Sequence, residues 1–113
     1  MEKIHIIAHF KIHAGQLDKF KKGAEDCIAS TKNEPGALLY DWFIDENELS
    51  CTVVETYKDS NAVLVHVGNV NEPLSKLIEI SDFVVEVFGN ASFELQNALK
   101  EMNVTPVPFF GGL

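Results

Sequence analysis

Glu55-Thr-Tyr-Lys-Asp-Ser-Asn-Ala-Val-Leu-Val-His66 (ETYKDSNAVLVH) is the stretch on which the fold turns. The residues leading into it, Leu49 to Tyr57 (LSCTVVETY), alternate apolar and polar with the period of a strand. The residues after Tyr57 can be read in two ways. Val63, Val65 and Val67 alternate and are β-branched, which favours another strand over 62–67. Against that, Lys58-Asp59-Ser60-Asn61 supplies helix-capping side chains immediately before Ala62. Ala62, Val63, His66, Val67 and Val70 also fall on one stripe at helical spacing. The caps and the stripe predict a helix, and with it a histidine on an apolar face just after a strand that carries Glu55 and Tyr57 on one side.

Upstream, Ile4, Ile6, Ala8 and Phe10 alternate with His5, Ile7 and His9, again as a strand. After Ala14-Gly15, residues Leu17, Phe20, Ala24, Cys27, Ile28 and Thr31 recur at helical spacing, with charged residues on the opposite face. Asn33-Glu34-Pro35-Gly36 stops that helix, because the residue before a proline avoids the helical region and the glycine turns the chain. Ala37 to Ile44 (ALLYDWFI) reads as a strand joined through the polar turn Asp45-Glu46-Asn47-Glu48 to the strand ending at Tyr57, an antiparallel hairpin.

Downstream, Asn71-Glu72-Pro73 is expected to open a separate short helical turn with Leu74, Leu77 and Ile78 facing inward. Phe83 to Phe88 reads as a strand closed by Gly89. Ser92 caps a helix carrying Leu95, Ala98, Leu99 and Met102. From Thr105 on, Pro106 and Pro108 forbid a helix interior and predict an extended tail.

This order, strand–helix–strand–strand–helix–strand, is the split βαβ or ferredoxin-like arrangement of the α+β class, with one antiparallel sheet and the helices on one of its faces. A C-terminal helix and tail are added to it. The other sheet face keeps apolar side chains, and a second copy of the chain is the simplest cover, so a homodimer with the sheets face to face is expected. At 113 residues the chain is read as a single domain, its core over 3–89 and its extension over 90–113.

Composition narrows the function. A chain that is 46% hydrophobic and 23% charged is globular, and no apolar run approaches the roughly 20 residues that span a bilayer. The start, MEKIHIIAHFKIH, lacks a small-residue cleavage site, so a cytoplasmic protein is expected. The net charge of -8, with nine basic residues that are all lysine, argues against nucleic acid and anionic membranes as partners. Without arginine there is no bidentate fork for a carboxylate or phosphate, which leaves a neutral, aromatic or weakly acidic small molecule as ligand. Cys27 and Cys51 sit in apolar patterns and read as reduced, buried small hydrophobes. His5, His9 and His13 do not form a metal site: on a strand their side chains stand roughly 13 Å apart, far beyond the ~4 Å between two ligands of one metal.

KIHAGQLDKF, the run Glu34-Pro35-Gly36-Ala37 followed by Tyr40, and ETYKDSNAVLVH together give the chain a resemblance, over roughly residues 3–89, to the antibiotic biosynthesis monooxygenase family of dimeric α+β barrels, and within it to the quinol monooxygenases. The resemblance implies a pocket between sheet and helices, and oxidation of an electron-rich phenol or quinol with no metal, flavin or other cofactor. Such chemistry needs a base to make the substrate anion, a pocket that excludes water, and flat apolar walls. His66 is the expected base, with Glu55 orienting it or taking the proton itself. Tyr57, Tyr40, Trp42 and Asn69 are the expected substrate contacts. Tyr40 and Trp42 share a strand face with Leu38 and Ile44, and Asn69, three residues after His66, is placed to donate to an oxyanion. Each residue also has a plain packing role open to it, as a satisfied core histidine or a core aromatic. Haem-degrading members of the family use a tryptophan on the strand before this helix and an asparagine on the first strand, so the resemblance disfavours haem degradation here, where no tryptophan stands near Tyr57 and the first strand offers His5 and His9. Two other activities stay open on this scaffold: isomerase-type proton transfer with the same pair, and small-molecule binding without turnover, as in a stress-related protein.

Overall fold

The computed structural model describes residues 2–113. Its elements are β1 (Ile4–Ile12), α1 (Leu17–Thr31), β2 (Ala37–Asp45), β3 (Ser50–Tyr57), α2 (Ser60–Glu79), β4 (Ser81–Phe88) and α3 (Phe93–Glu101). The strands form one sheet in the order β2-β3-β1-β4, with every neighbouring pair antiparallel. This is the ferredoxin-like α+β fold that the sequence predicts.

Alternation sets the two faces. β1 turns Ile4, Ile6, Ala8, Phe10 and Ile12 into the core, and β3 buries Cys51, Val53, Glu55 and Tyr57. Glu55 is thus the one acid in a buried strand row, placed by register opposite Ile6 on β1 and Tyr40 on β2. The core divides into two apolar clusters, one around Ile4, Ile6, Tyr57 and Val63, the other around Phe10, Phe20, Val53 and Leu77. Glu55 lies between them on β3, one step from Val53 and one from Tyr57 along the inward row.

The stretch after Tyr57 is helix. The Asp59 side chain accepts from the Ala62 amide at 2.9 Å and starts α2, which buries Ala62, Val63, His66 and Val70 while Val65 and Val67 stay exposed. The break expected at Asn71-Glu72-Pro73 does not occur, and α2 runs through Pro73 to Glu79. Proline removes a single helical hydrogen bond, to the carbonyl four residues back, and the face it would interrupt continues with the buried Leu77, packed under Gly23 of α1. Ile78 is exposed rather than inward. Leu38 is exposed too, because a register irregularity between Ala37 and Leu39 takes it out of the Tyr40–Trp42 row.

Ser92 caps α3 through the Leu95 amide, and its own amide donates to Ser60 Oγ at 2.9 Å, tying α3 to the first turn of α2. The tail runs extended beside β4: the Val107 amide donates to Val87 O and the Gly89 amide to Val107 O, both at 2.8 Å. On the outer sheet face Phe43 and Val84 are exposed. His5 and His9 on β1, and His13 just after it, each have a partner of their own: Thr56, Glu86 and Asp82 respectively. Among the described residues no cluster of histidine, cysteine and acid is placed to hold a metal.

Two glycines test the packing that positions the site. A Cβ on Gly36 would lie 2.6 Å from the Ala62 Cβ, whereas one on Gly68 would meet nothing within 4 Å. Urea denaturation should find Gly36→Ala less stable by about 1–3 kcal/mol and Gly68→Ala more stable by about 0.5–1 kcal/mol, from helix propensity alone. Equal stabilities would contradict the close approach of the Pro35-Gly36 turn to α2.

Candidate active site

Three elements bring the ionisable groups together: the turn after α1 carries Glu34, β3 carries Glu55 and α2 carries His66. Pro35 holds Glu34 out of helical conformation. Gly36 lets the turn lie against Ala62, and Glu34 then reaches His66, one turn further along α2. The imidazole Nδ1 is 3.1 Å from both Glu34 carboxylate oxygens, with both side chains buried at 7% and 5% exposure. Asn69 Nδ2 adds a second donor, 2.7 Å from Glu34 Oε2, and also donates to Ser30 O at 2.9 Å. On the other side of the ring, Nε2 stands 3.8 Å from Glu55 Oε1, and the Tyr57 hydroxyl donates to that same oxygen at 2.6 Å. The Tyr40 and Tyr57 rings flank the imidazole, each centroid 5.0 Å away.

A carboxylate only accepts, so this network assigns the proton of neutral His66 to Nδ1 and leaves the Nε2 lone pair on the Glu55 side. Burial pushes Glu55 up to about 7, over the opposing hydrogen bond from Tyr57 and with help from the nearby Glu34 charge. Burial likewise pushes His66 below its ordinary value, against the pull of Glu34. A neutral imidazole therefore stands beside a carboxyl that keeps its proton into the neutral range, a base and an acid set apart by environment. Burial raises Tyr40 and Tyr57, so neither phenol acts as a base. Cys27 and Cys51 are free, buried and pushed up to about 12, which makes them inert thiols.

The pair opens on a cavity of about 70 Å³ whose walls include Tyr40, Trp42, Phe10, Phe83, Val70 and, from the C-terminal extension, Leu99. Of the residues expected at the site, His66, Glu55, Tyr40 and Trp42 line this cavity. Tyr57 and Asn69 do not. Tyr57 is fully buried, with its hydroxyl bonded to Glu55, and the Asn69 amide is bonded to Glu34 and Ser30. Each donates a hydrogen bond to a carboxylate of the site, Tyr57 to Glu55 and Asn69 to Glu34. Glu34 is the residue that sequence reading missed. It stands in plain view in Glu34-Pro35-Gly36, but the turn explains that run fully, and nothing local reports a contact 32 residues away. The orienting partner of His66 is Glu34 and not Glu55, whose oxygen lies beyond hydrogen-bond reach.

Glu55 makes the site pH-sensitive. Its folded-state pKa is raised, so its stabilising contribution is complete below about 4.5 and is lost as pH rises through about 7. Relative to the parent, Glu55→Gln should gain stability between those limits, by on the order of 3 kcal/mol. Denaturant titrations at pH 4.5 and pH 8 measure this, and a constant difference between the two proteins would show that Glu55 titrates as a solvated acid does.

The model of the antibiotic biosynthesis monooxygenase family matches residues 3–71. No curated protein matches the sequence. Among solved structures, MupZ from Pseudomonas fluorescens is similar with a TM-score of 0.87 at 24% identity, over 98% of this chain and 93% of MupZ. A conserved protein from Methanosarcina mazei Go1 gives 0.70 at 22% identity, over 77% of this chain and 91% of its own. SnoaB, a cofactor-independent oxygenase from Streptomyces nogalater, gives 0.68 at 13% identity, over 80% of this chain and 94% of its own. At these identities the structural similarities establish the fold. The family match spans more than half of the chain and takes in Glu34, Glu55 and His66, and on that match the chain belongs to the antibiotic biosynthesis monooxygenase family.

Proposed function

We propose that the chain is an acid–base enzyme, and that it uses this chemistry as a cofactor-independent monooxygenase on a small phenol or quinol. The observation that carries the reading is the imidazole held by Glu34 through Nδ1, with Nε2 turned toward Glu55 and an apolar, aromatic-walled cavity. His66 Nε2 takes the substrate's hydroxyl proton, and the resulting anion is electron-rich enough to react with dioxygen. A ring C–H becomes C=O with one oxygen atom, and the other leaves as water. Glu55, protonated and beside the base, supplies a proton to the departing oxygen and recovers one from His66. The apolar wall keeps water from the intermediates. A second copy of the chain covering the outer sheet face, and a cytoplasmic setting, go with this reading. Among the described residues no helix is long and apolar enough to cross a membrane.

The placing of a second ionisable group, Glu55, 3.8 Å from Nε2 favours a second reading, isomerase-type proton transfer. An acid this near the base can return the proton to a different atom of the substrate with no oxygen consumed. Binding without turnover, as in a stress-related protein, is the reading left if neither reaction is found.

An oxygen electrode with a panel of phenols and quinols separates these. The monooxygenase should consume one O2 per substrate, and His66→Ala should lower kcat by about 10²–10⁴-fold. The pH profile should be bell-shaped, with an alkaline limb near 7 from Glu55 that Glu55→Gln removes, and an acid limb below 6.5 from His66. Product without oxygen uptake would replace the first reading by the second. Binding with no product in air or argon would sink both.

A further inference from the structure

Trp42 Nε1 is the one buried side-chain donor or acceptor without a partner among the described residues. The indole stacks on Phe10 with ring centroids 5.8 Å apart, and meets Tyr40 edge-on, also at 5.8 Å. A phenyl ring would make both contacts. The N–H is therefore surplus to packing, and leaving it unbonded costs about 1–3 kcal/mol. Native chains keep few such groups, and each calls for a reason.

The reason offered by the geometry is the cavity that Trp42 shares with Glu55 and His66. On the β2–β3 ladder Trp42 pairs with Val53, and Tyr40 pairs with Glu55. Trp42 thus stands one strand over and two residues along from Glu55, on the same sheet face, a diagonal of about 7–8 Å between backbone positions. The cavity between them is about 70 Å³, so a ring with a substituent at each end enters only as its wall moves. The indole can only donate, so whatever meets it must accept. No lysine lines the cavity, so the acceptor is a neutral oxygen and not a carboxylate.

We infer that Trp42 Nε1 donates a hydrogen bond to the substrate, and that the substrate is a one-ring molecule bearing an acidic hydroxyl at one end and a carbonyl or other neutral acceptor oxygen at the other. The acidic end rests on the proposed function, and the acceptor end rests on Trp42 alone. The second oxygen sets orientation: with it on the indole, the hydroxyl is delivered to His66 and Glu55. A molecule with an N–H or a methyl group in that position leaves the indole unbonded and is selected against.

Trp42 is the single tryptophan of the chain, so ¹⁵N-labelled protein shows one indole N–H signal. The full chain is titrated with 4-hydroxyacetophenone and with 4-ethylphenol, which keeps the shape and lacks the acceptor. The indole proton should move downfield with the ketone and stay in place with the ethyl compound. The ketone should bind about tenfold more tightly, the worth of one good buried hydrogen bond. Trp42→Phe should erase that preference, so that the two probes bind with the same affinity. Equal binding of the two probes with an unmoved indole signal overturns the inference and leaves the acid–base function standing, as does a signal held constant by a trapped water. Failure of the folded protein to bind either probe overturns both. An indole that moves with the ketone, in a protein that consumes no oxygen with any phenol, keeps the inference and removes the monooxygenase.

Discussion

The contact between Glu34 and His66 is the constraint around which the site is built. A buried carboxylate and a buried imidazole are each costly alone, and each makes the other tolerable only if their remaining hydrogen-bonding capacity is met. Asn69 meets part of it for Glu34, and Nδ1 meets the rest. The three groups come from the turn after α1 and from two positions on α2, so the contact fixes how the end of α1 sits against α2. Apolar residues would fill that space with comparable stability. What they would not do is hold the ring in one tautomer, with its lone pair on the cavity side.

That arrangement also decides the state of Glu55. Two carboxylates flank one neutral imidazole, at 3.1 Å on one side and 3.8 Å on the other. Glu34 has donors aimed at both of its oxygens, whereas Glu55 has the Tyr57 hydroxyl and an otherwise apolar surrounding of Ile6, Val53 and Val63. Burial with a single donor keeps the proton on Glu55. Two residues of the same type, a few ångströms apart, are thereby given different surroundings: Asn69 and Nδ1 meet Glu34, whereas the Tyr57 hydroxyl alone donates to Glu55.

Much of the fold could be read from local signals. Asp59, the cap, outweighed the β-branched run of Val63, Val65 and Val67, and the structure agrees because the side chain does accept the Ala62 amide. Pro73 misled, since a proline lowers helix stability but does not end a helix whose apolar face is buried on both sides of it. His66 and Glu55 were legible as polar residues in apolar rows, a pattern that demands an explanation. Glu34 was not, because a residue in a Pro-Gly turn already has one. Tyr57 and Asn69 were legible as neighbours of the pair but not in their direction: periodicity says which face a side chain is on, and only the partner's position says what its hydroxyl or amide meets.

The same division between exposed and buried side chains locates the cavity's mouth. Of the residues that line it, only Val67 on α2 and Met102 at the end of α3 are exposed. A space of about 70 Å³ holds a few waters at most, so a ring-sized molecule has to move a wall, and the wall with a free edge is the one between these two side chains. Met102 is unbranched and adaptable. It is followed by Asn103 in the left-handed region at φ 58°, where α3 ends and the chain turns toward β4. The same wall maintains the dryness that keeps Glu55 protonated. Water admitted past Met102 would solvate the carboxylate and draw its pKa back toward the ordinary range, removing the acid from beside the base. Leu99 and Met102 of the C-terminal extension therefore help to keep the surroundings of His66 and Glu55 apolar.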